Sequence, residues 1–340
     1  MSAALPHGGD LAAASLRYGH ARAAWLDLST GIAPWPYAVP PVPAEAWQRL
    51  PESAPATLME AAERCYGAAP GRLLAVAGSV AAIRALPRVQ LRWRSRARVV
   101  VAPLSFNEHA AAWARAGHAV RAVPWVDFDA ALDEADVAIV CQPNNPTGDD
   151  AEPAQLLAWR ERLAARGGWL VVDEAFRDTQ PARSVIGAAG EPGLIVLRSL
   201  GKFFGLAGAR VGFVATRPML LDAIAEELGP WCISGPAALA AEAALRDAPW
   251  QAAQRLRLID ASQRLQQLCE HLGLAVVRSD HFVWTADACA APLHEALARQ
   301  AVWTRRFDVD GATSLRIGLP GDAIAWARLG AALTAALGLI

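Results

Sequence analysis

The sequence predicts an α/β fold, with a mostly parallel sheet flanked by helices in a large domain and a smaller α+β domain after it. Three observations point there. From about Thr57 onward, helical and strand-like patterns alternate. The strand-like runs are short and almost wholly apolar, as strands buried on both faces are. Each run gives way to polar or small residues, which marks the sheet edge where open α/β folds bind ligands.

Residues 1–45 precede the alternation. They hold His7-Gly8-Gly9, a mixed stretch through Trp25-Leu26-Asp27-Leu28 and a proline-rich segment from Pro34 to Pro43, and read as an arm and linker packing on the small domain. The large domain is expected over 46–217. It runs as a helix from Leu58 to Tyr66, a strand Leu73 to Val76, a helix opening at Ser79, a strand Val99 to Val101, and a helix Glu108 to Arg115 ended by Gly117. Strands Ala119 to Val123 and Val137 to Val140 follow, then a helix from Pro153 to Ala165 and three more apolar runs, Trp169 to Val172, Leu194 to Leu197 and Val211 to Val214. Strands separated by helices imply crossover connections and therefore a mostly parallel sheet. Residues 218–340 read as the small domain. They are helical from about Met219 to His271, with strands around Leu274 to Val277 and Ser314 to Ile317 and a last helix from Ala323 to Leu337.

With 340 residues, 54% of them hydrophobic, the chain can bury a large core in two domains. A formal net charge of −1 without a basic block speaks against a nucleic-acid partner and leaves small molecules as the expected ligands. Cys65, Cys141, Cys232, Cys269 and Cys289 lie far apart without metal-ligand spacing, so neither a metal site nor a disulfide framework is expected. The N-terminus lacks the apolar core of an export signal and no apolar run reaches membrane-spanning length, so the expected location is the cytoplasm, off the membrane. The sharpest compositional fact is that, of 32 lysines and arginines, only Lys202 is lysine. Arginine can replace lysine for surface charge, but guanidinium stays protonated, whereas a deprotonated lysine amine can attack a carbonyl. Chance survival of one surface lysine is the plain alternative, and the surroundings of Lys202 decide between the two.

Asp173 ends the run Trp169 to Val172, so its carboxylate belongs at the carboxyl edge of the sheet; an ordinary helix cap is the alternative reading. Lys202 sits in Ser199-Leu200-Gly201-Lys202 directly after another strand, and Arg210 comes just before the next. Between them, Phe203-Phe204-Gly205-Leu206-Ala207-Gly208 is apolar and glycine-bearing, which lets backbone fold closely around a bound group.

Five segments stand in order along nearly the whole chain: Gln142-Pro143-Asn144-Asn145-Pro146-Thr147-Gly148, Asp173-Glu174-Ala175-Phe176, Ser199-Leu200-Gly201-Lys202, Arg210-Val211-Gly212 and Ser314-Leu315-Arg316-Ile317-Gly318. In this the chain resembles the fold-type I pyridoxal-phosphate (PLP) enzymes, the aspartate aminotransferase superfamily. The resemblance implies a mostly parallel seven-stranded sheet in the large domain, a smaller α+β C-terminal domain, and a homodimer with shared active sites. It also implies roles. Lys202 would carry pyridoxal 5'-phosphate as a Schiff base and later move a proton. Asp173 would pair with the pyridine nitrogen, and Asn145 would donate to the phenolic oxygen of the ring. Ser199 and Arg210, with the backbone of Gly78-Ser79-Val80 at a strand-to-helix turn, would hold the cofactor phosphate. Phe106 fits either the aromatic that stacks on the ring or an ordinary core side chain. Arg316 would grip the substrate α-carboxylate, and its apolar, glycine-bearing setting from Leu315 to Leu319 makes an idle charge costly there.

Within the superfamily, His7-Gly8-Gly9-Asp10 and Trp25-Leu26-Asp27-Leu28-Ser29-Thr30-Gly31-Ile32-Ala33-Pro34 are similar to the opening of the cobalamin-pathway threonine-phosphate decarboxylases, whose near relatives are the histidinol-phosphate aminotransferases. That similarity implies loss of CO2 from L-threonine O-3-phosphate to give (R)-1-amino-2-propanol O-2-phosphate. His7, Gly8, Gly31, Arg305 and Arg316 would meet this small phosphorylated amino acid. Arg306 could exchange roles with Arg305, and His7 could equally be a surface histidine. Decarboxylation and transamination differ in which bond at the α-carbon is held perpendicular to the cofactor plane, and a gripped phosphate can set that choice. Two positions depart from relatives. Phe176 stands where many aminotransferases have a tyrosine bonding the phenolic oxygen, and Leu50 where histidinol-phosphate aminotransferases commonly have a tyrosine reaching the partner subunit's cofactor phosphate. The competing readings are a histidinol-phosphate-type aminotransferase and a non-catalytic module of the same fold.

Overall fold

The structure is a computed structural model and describes residues 7–51 and 55–339; residues 1–6 of the expected arm lie outside them. Two compact units account for the chain. One comprises Met1–Trp35, Pro146–Gly148 and Gln254–Ile340, the other Pro36–Asn145 and Asp149–Ala253. In the first, the arm folds as a helix, Leu11–Tyr18, and a short strand, β1 (Leu26–Asp27). Asp10 caps the helix by accepting from Ala13 N at 3.0 Å, and Gly19 closes it in the left-handed region.

The second unit is built on a seven-stranded sheet: β2 (Leu73–Val76), β3 (Arg98–Val101), β4 (Ala119–Ala122), β5 (Val137–Cys141), β6 (Trp169–Asp173), β7 (Leu194–Ser199) and β8 (Gly212–Ala215). Their order across the sheet is β2-β8-β7-β6-β5-β3-β4. β8 runs antiparallel to both its neighbours and the remaining pairings are parallel, so the sheet is mostly parallel with one reversed strand. β5 and β6 are buried at every position, which is why their sequences read as continuous runs instead of alternating. Helix Ser79–Gln90 buries Ala82, Ile83, Leu86 and Val89 at helical spacing, in a core with Val99, Ile139, Val171, Leu197 and Val214. Each large aliphatic side chain sealed there contributes roughly 1.5–3 kcal/mol.

The same core sets where the units part. Helix Pro218–Leu228 inserts Leu220, Leu221, Ala223 and Ile224 into it, and helix Gly235–Arg246 packs on helix Ala56–Tyr66. The expected divisions at 45/46 and 217/218 therefore differ from the observed units. Residues 36–45 and 218–253 group with the large sheet, and 1–35 with the C-terminal unit. Periodicity marks a helix, but it does not say which core receives the apolar face.

In the first unit, β9 (Val277–Ser279), β10 (Phe282–Thr285), β12 (Arg305–Val309) and β13 (Ala312–Gly318) form an antiparallel sheet in the order β12-β13-β10-β9, while β11 (Val302–Trp303) pairs in parallel with β1. The arm is held there by edge-to-face contacts of Tyr18 (6.0 Å) and Trp25 (5.7 Å) with Trp303. Helix Ala323–Leu337 closes the chain as expected. Among the described residues no helix is long and apolar enough to cross a membrane.

A charged cluster is sealed beside the strand ends of the larger unit. Arg198 on β7 donates to Glu174 Oε2 at 2.8 Å and to Asp178 Oδ1 at 2.6 Å, with its guanidinium carbon 4.4 Å from the Tyr66 ring centroid. All three charged residues are buried. Burial alone pulls the Arg198 pKa down, but the two carboxylates outweigh it and the net shift is upward. Removing the cation strands two buried anions, so Arg198→Ala should lower the unfolding free energy by about 3–5 kcal/mol, measured by urea titration against the parent protein.

Candidate active site

Register places the functional groups. Cys141 on β5 stands opposite Asp173 on β6, and Asp173 opposite Leu197 on β7, so three parallel strands end side by side. The segments leaving those ends line one pocket in the larger unit with Asn145, Asp173, Ser199, Lys202 and Arg210, joined by Ser79, Val80 and Phe106. Cys141, Ala175, Phe176, Gly201 and Ala207, which sequence reasoning did not assign to the cofactor, line it too.

At the floor, Asp173 Oδ2 lies 2.9 Å from His109 Nε2, and Asp173 Oδ1 accepts from Ala175 N at 3.0 Å. His109 is the functional residue that sequence reasoning missed. Burial pulls its imidazole toward the neutral form, but hydrogen bonds to Asp173 and Cys141 prevail and push its pKa from 6.5 up to about 10. The resulting cation fixes the Asp173 carboxylate and aims its free lone pairs. The only hint in sequence is a histidine at the head of helix Glu108–Arg115, three residues after Phe106, whose ring it meets edge-to-face. His109, Cys141 and Asp173 bring their ligand atoms within 4.8 Å of one another, but those atoms bond among themselves at the pocket floor.

The other end is cationic. Gly78 (φ 74°) precedes helix Ser79–Gln90 without a side-chain cap, so first-turn N–H groups and the positive end of the helix dipole face this end. A Cβ on Gly78 would come 2.5 Å from Arg210 Nη2, so the guanidinium lies against bare backbone. Arg210 itself adopts φ 54° and ψ 51°, a left-handed conformation that costs a non-glycine residue on the order of 1–3 kcal/mol and aims this side chain. Its Nη1 donates to Ala207 O at 3.2 Å. Ser199 closes β7 with its Oγ accepting from Gly201 N at 3.2 Å. Lys202 Nζ lies 5.4 Å from the Phe176 ring centroid, so the phenylalanine at the departing position packs on the amine as an apolar wall. An anion cradle, a buried carboxylate and an amine sharing one pocket fit pyridoxal 5'-phosphate, which has a phosphate, a basic ring nitrogen and an aldehyde.

The substrate candidates belong to the other unit. Arg305 opens β12 and pairs in register with Arg316 on β13. Arg316 is buried, its guanidinium carbon 5.1 Å from the Phe282 ring and 5.8 Å from that of Phe307, and its Nη2 donates to Ser29 O at 2.5 Å. Burial lowers the pKa of both arginines, and for Arg316 the Arg305 charge adds to burial and brings it to about 9. Arg306 donates to Asp308 at 2.9 Å instead, which leaves Arg305 as the neighbour of Arg316. Gly8 lies against Ser29, whose carbonyl oxygen a Cβ would strike; Gly31 is buried and His7 exposed.

A family model for aminotransferases of class I and II matches residues 51–323. The chain belongs to this family. Among its members, the threonine-phosphate decarboxylase of Pseudomonas aeruginosa is 51% identical over 330 residues, covering 97% of each chain. That of Sinorhizobium sp is 41% identical over 336 residues, covering 98% of each. In fold, the chain is similar to the histidinol-phosphate aminotransferase of Sinorhizobium meliloti, solved with pyridoxal-5'-phosphate, with a TM-score of 0.83 at 21% identity over the whole of both chains.

Two outcomes follow from the pocket. Gly78→Ala should weaken PLP binding at least about tenfold, since displacing one charge-assisted contact costs about 1.5–3 kcal/mol, read by titrating apoprotein with cofactor. Because His109 has a folded-state pKa raised from 6.5 to about 10, its pairing stabilises the protein fully below pH 6.5 and loses that effect as pH rises through about 10. The difference in unfolding free energy between the parent and His109→Gln should therefore shrink from pH 6.5 to 10, read from denaturant titrations across that range.

Proposed function

We propose that the chain is a PLP-dependent carboxy-lyase that converts L-threonine O-3-phosphate to (R)-1-amino-2-propanol O-2-phosphate and CO2 in cobalamin biosynthesis. The observation that carries the reading is 51% identity over 97% of both chains to a threonine-phosphate decarboxylase. The chemistry of the two arginines supports it. Arg305 and Arg316 are adjacent and desolvated, so the pair is best relieved by a ligand with more than one negative charge, and threonine phosphate offers a carboxylate and a phosphate.

When bound, PLP supplies the electron sink that accepts the pair released as the carboxylate leaves. Lys202 would hold the cofactor through its amine, and the same amine would deliver a proton to the substrate carbon that has lost CO2. Asp173, aligned by His109, would keep a proton on the pyridine nitrogen. Asn145 would donate to the ring oxygen, and Ser79, Ser199 and Arg210, which line the same pocket, would hold the cofactor phosphate. Arg316 takes the substrate carboxylate, with Arg305, His7 and the backbone at Gly8 and Gly31 on the substrate phosphate. Two anchored anions leave the α-carbon one orientation, in which the bond to the carboxylate is the one that breaks. The working form is a cytoplasmic homodimer with shared sites. Exposed Trp47, Leu50 and Trp231 in the larger unit are the kind of surface a second copy covers, and none of the five cysteines is in a disulfide, as suits a reducing compartment.

Incubation of the PLP-loaded protein with L-threonine O-3-phosphate should release CO2 and the amino-alcohol phosphate, and Lys202→Ala should abolish both. Cofactor converted to its amine form by amino donors, without CO2, would replace this reading with an aminotransferase; failure to bind PLP at all would leave a non-catalytic module. Arg316→Lys should raise KM about tenfold or more, because one ammonium cannot reproduce a two-pronged contact worth about 1.5–3 kcal/mol.

A further inference from the structure

Ser29 is fully buried, and its N–H, Oγ and carbonyl oxygen are all hydrogen-bonded, linking Asp27, the Gly9 backbone and Arg316. Its carbonyl oxygen accepts from Arg316 Nη2 at 2.5 Å. Its Oγ accepts from Gly9 N at 2.7 Å while donating to Asp27 Oδ1 at 2.6 Å, and its own N–H donates to the same Asp27 oxygen at 2.9 Å. Gly8 presses so closely on Ser29 that no side chain fits there. The next strand is bound in as well, for Gly318 N donates to Leu28 O at 2.8 Å, and a Cβ on Gly318 would come 2.6 Å from Thr30 O.

We infer that Ser29 is a positioning residue: anchored by Asp27, it fixes the His7-Gly8-Gly9 turn and the Arg316 guanidinium relative to each other, and so sets the spacing at which the substrate's phosphate and carboxylate are held. The inference rests on the proposed decarboxylase reading and extends it. Two features make Ser29 more than a packing residue. The Ser29 carbonyl oxygen accepts directly from Arg316 Nη2, on a guanidinium whose carbon lies 5.1 Å from the Phe282 ring and 5.8 Å from that of Phe307, so a shift of Ser29 shifts this cation. The turn at Gly8 and Gly9 has no helix or strand of its own, so the Gly9-to-Ser29 bond determines where it sits. The Asp27 charge also favours the protonated form of Arg316 against burial and the Arg305 charge.

Ser29→Ala keeps the carbonyl but removes both Oγ bonds, which frees the turn and releases half of the Asp27 anchor. The expected result for the PLP-loaded protein is a KM for L-threonine O-3-phosphate raised about tenfold, in line with one lost charge-assisted hydrogen bond, with kcat within about threefold and PLP affinity unchanged. Asp27→Ala, a second route to the same loosening, should reproduce the KM rise, while Asp27→Asn, which keeps an acceptor, should restore most of it. In combination with Arg316→Lys, the fold-changes in KM should fall well short of the product of the single effects, because both substitutions act on one contact. A side chain that only packs would lower unfolding temperature without splitting KM from kcat. If the parent protein turns over the substrate while Ser29→Ala and Asp27→Ala keep the parental KM, the inference fails and the decarboxylase reading stands. If the parent releases no CO2, both fail together.

Discussion

Two strand ends in the larger unit have to be held together in a place that water does not reach, and a buried guanidinium does it. Arg198 stands one residue before Ser199, and its partners Glu174 and Asp178 follow Asp173. None of these charges is stable there alone, because an unpaired ion in a sealed environment costs several kcal/mol, so the three order as one unit. The ends of β6 and β7 that carry Asp173, Ser199 and the turn to Lys202 are thereby fixed to each other. The pocket depends on that fixity, since a group displaced by an ångström loses most of its effect on a reacting centre.

On this frame the pocket is polarised. Arg210, the first turn of helix Ser79–Gln90 and the bare backbone at Gly78 make one end cationic, while Asp173 backed by His109 presents an oriented carboxylate at the other. The left-handed backbone at Arg210 is a local cost accepted at a binding site, and the surrounding sheet is rigid enough to sustain it. In the other unit, Arg305 and Arg316 are like charges that burial makes unfavourable, held by the strand register of β12 and β13. Fixed charges of this kind need no reorganisation when an anionic ligand arrives, which is the physical basis of preorganised binding.

Much of this was legible in the residues. The single lysine among 32 basic residues, the acidic residue ending an apolar run and the arginine before the next run placed Lys202, Asp173 and Arg210, because each is a chemical commitment made by residue type at a strand end. The parallel sheet was legible because strands buried on both faces cannot alternate. His109 was not, because its partner is 64 residues away and nothing local distinguishes it from a core histidine. Ser29 was not legible either, since its hydrogen bonds reach Gly9 on one side and, 287 residues later, Arg316 on the other. The reversal of β8 escaped notice too, as a short apolar run reads alike in either direction.

The sequence by itself determined which groups are present, which can ionise, and where along the chain each leaves a strand or helix, because those follow from residue type and local periodicity. The tertiary structure alone decided which helices share the core of the large sheet, that His109 bonds Asp173, and that Arg305 and Arg316 are neighbours. Burial and the approach of residues distant in sequence set a group's charge and orientation, and neither is encoded in any short stretch of chain.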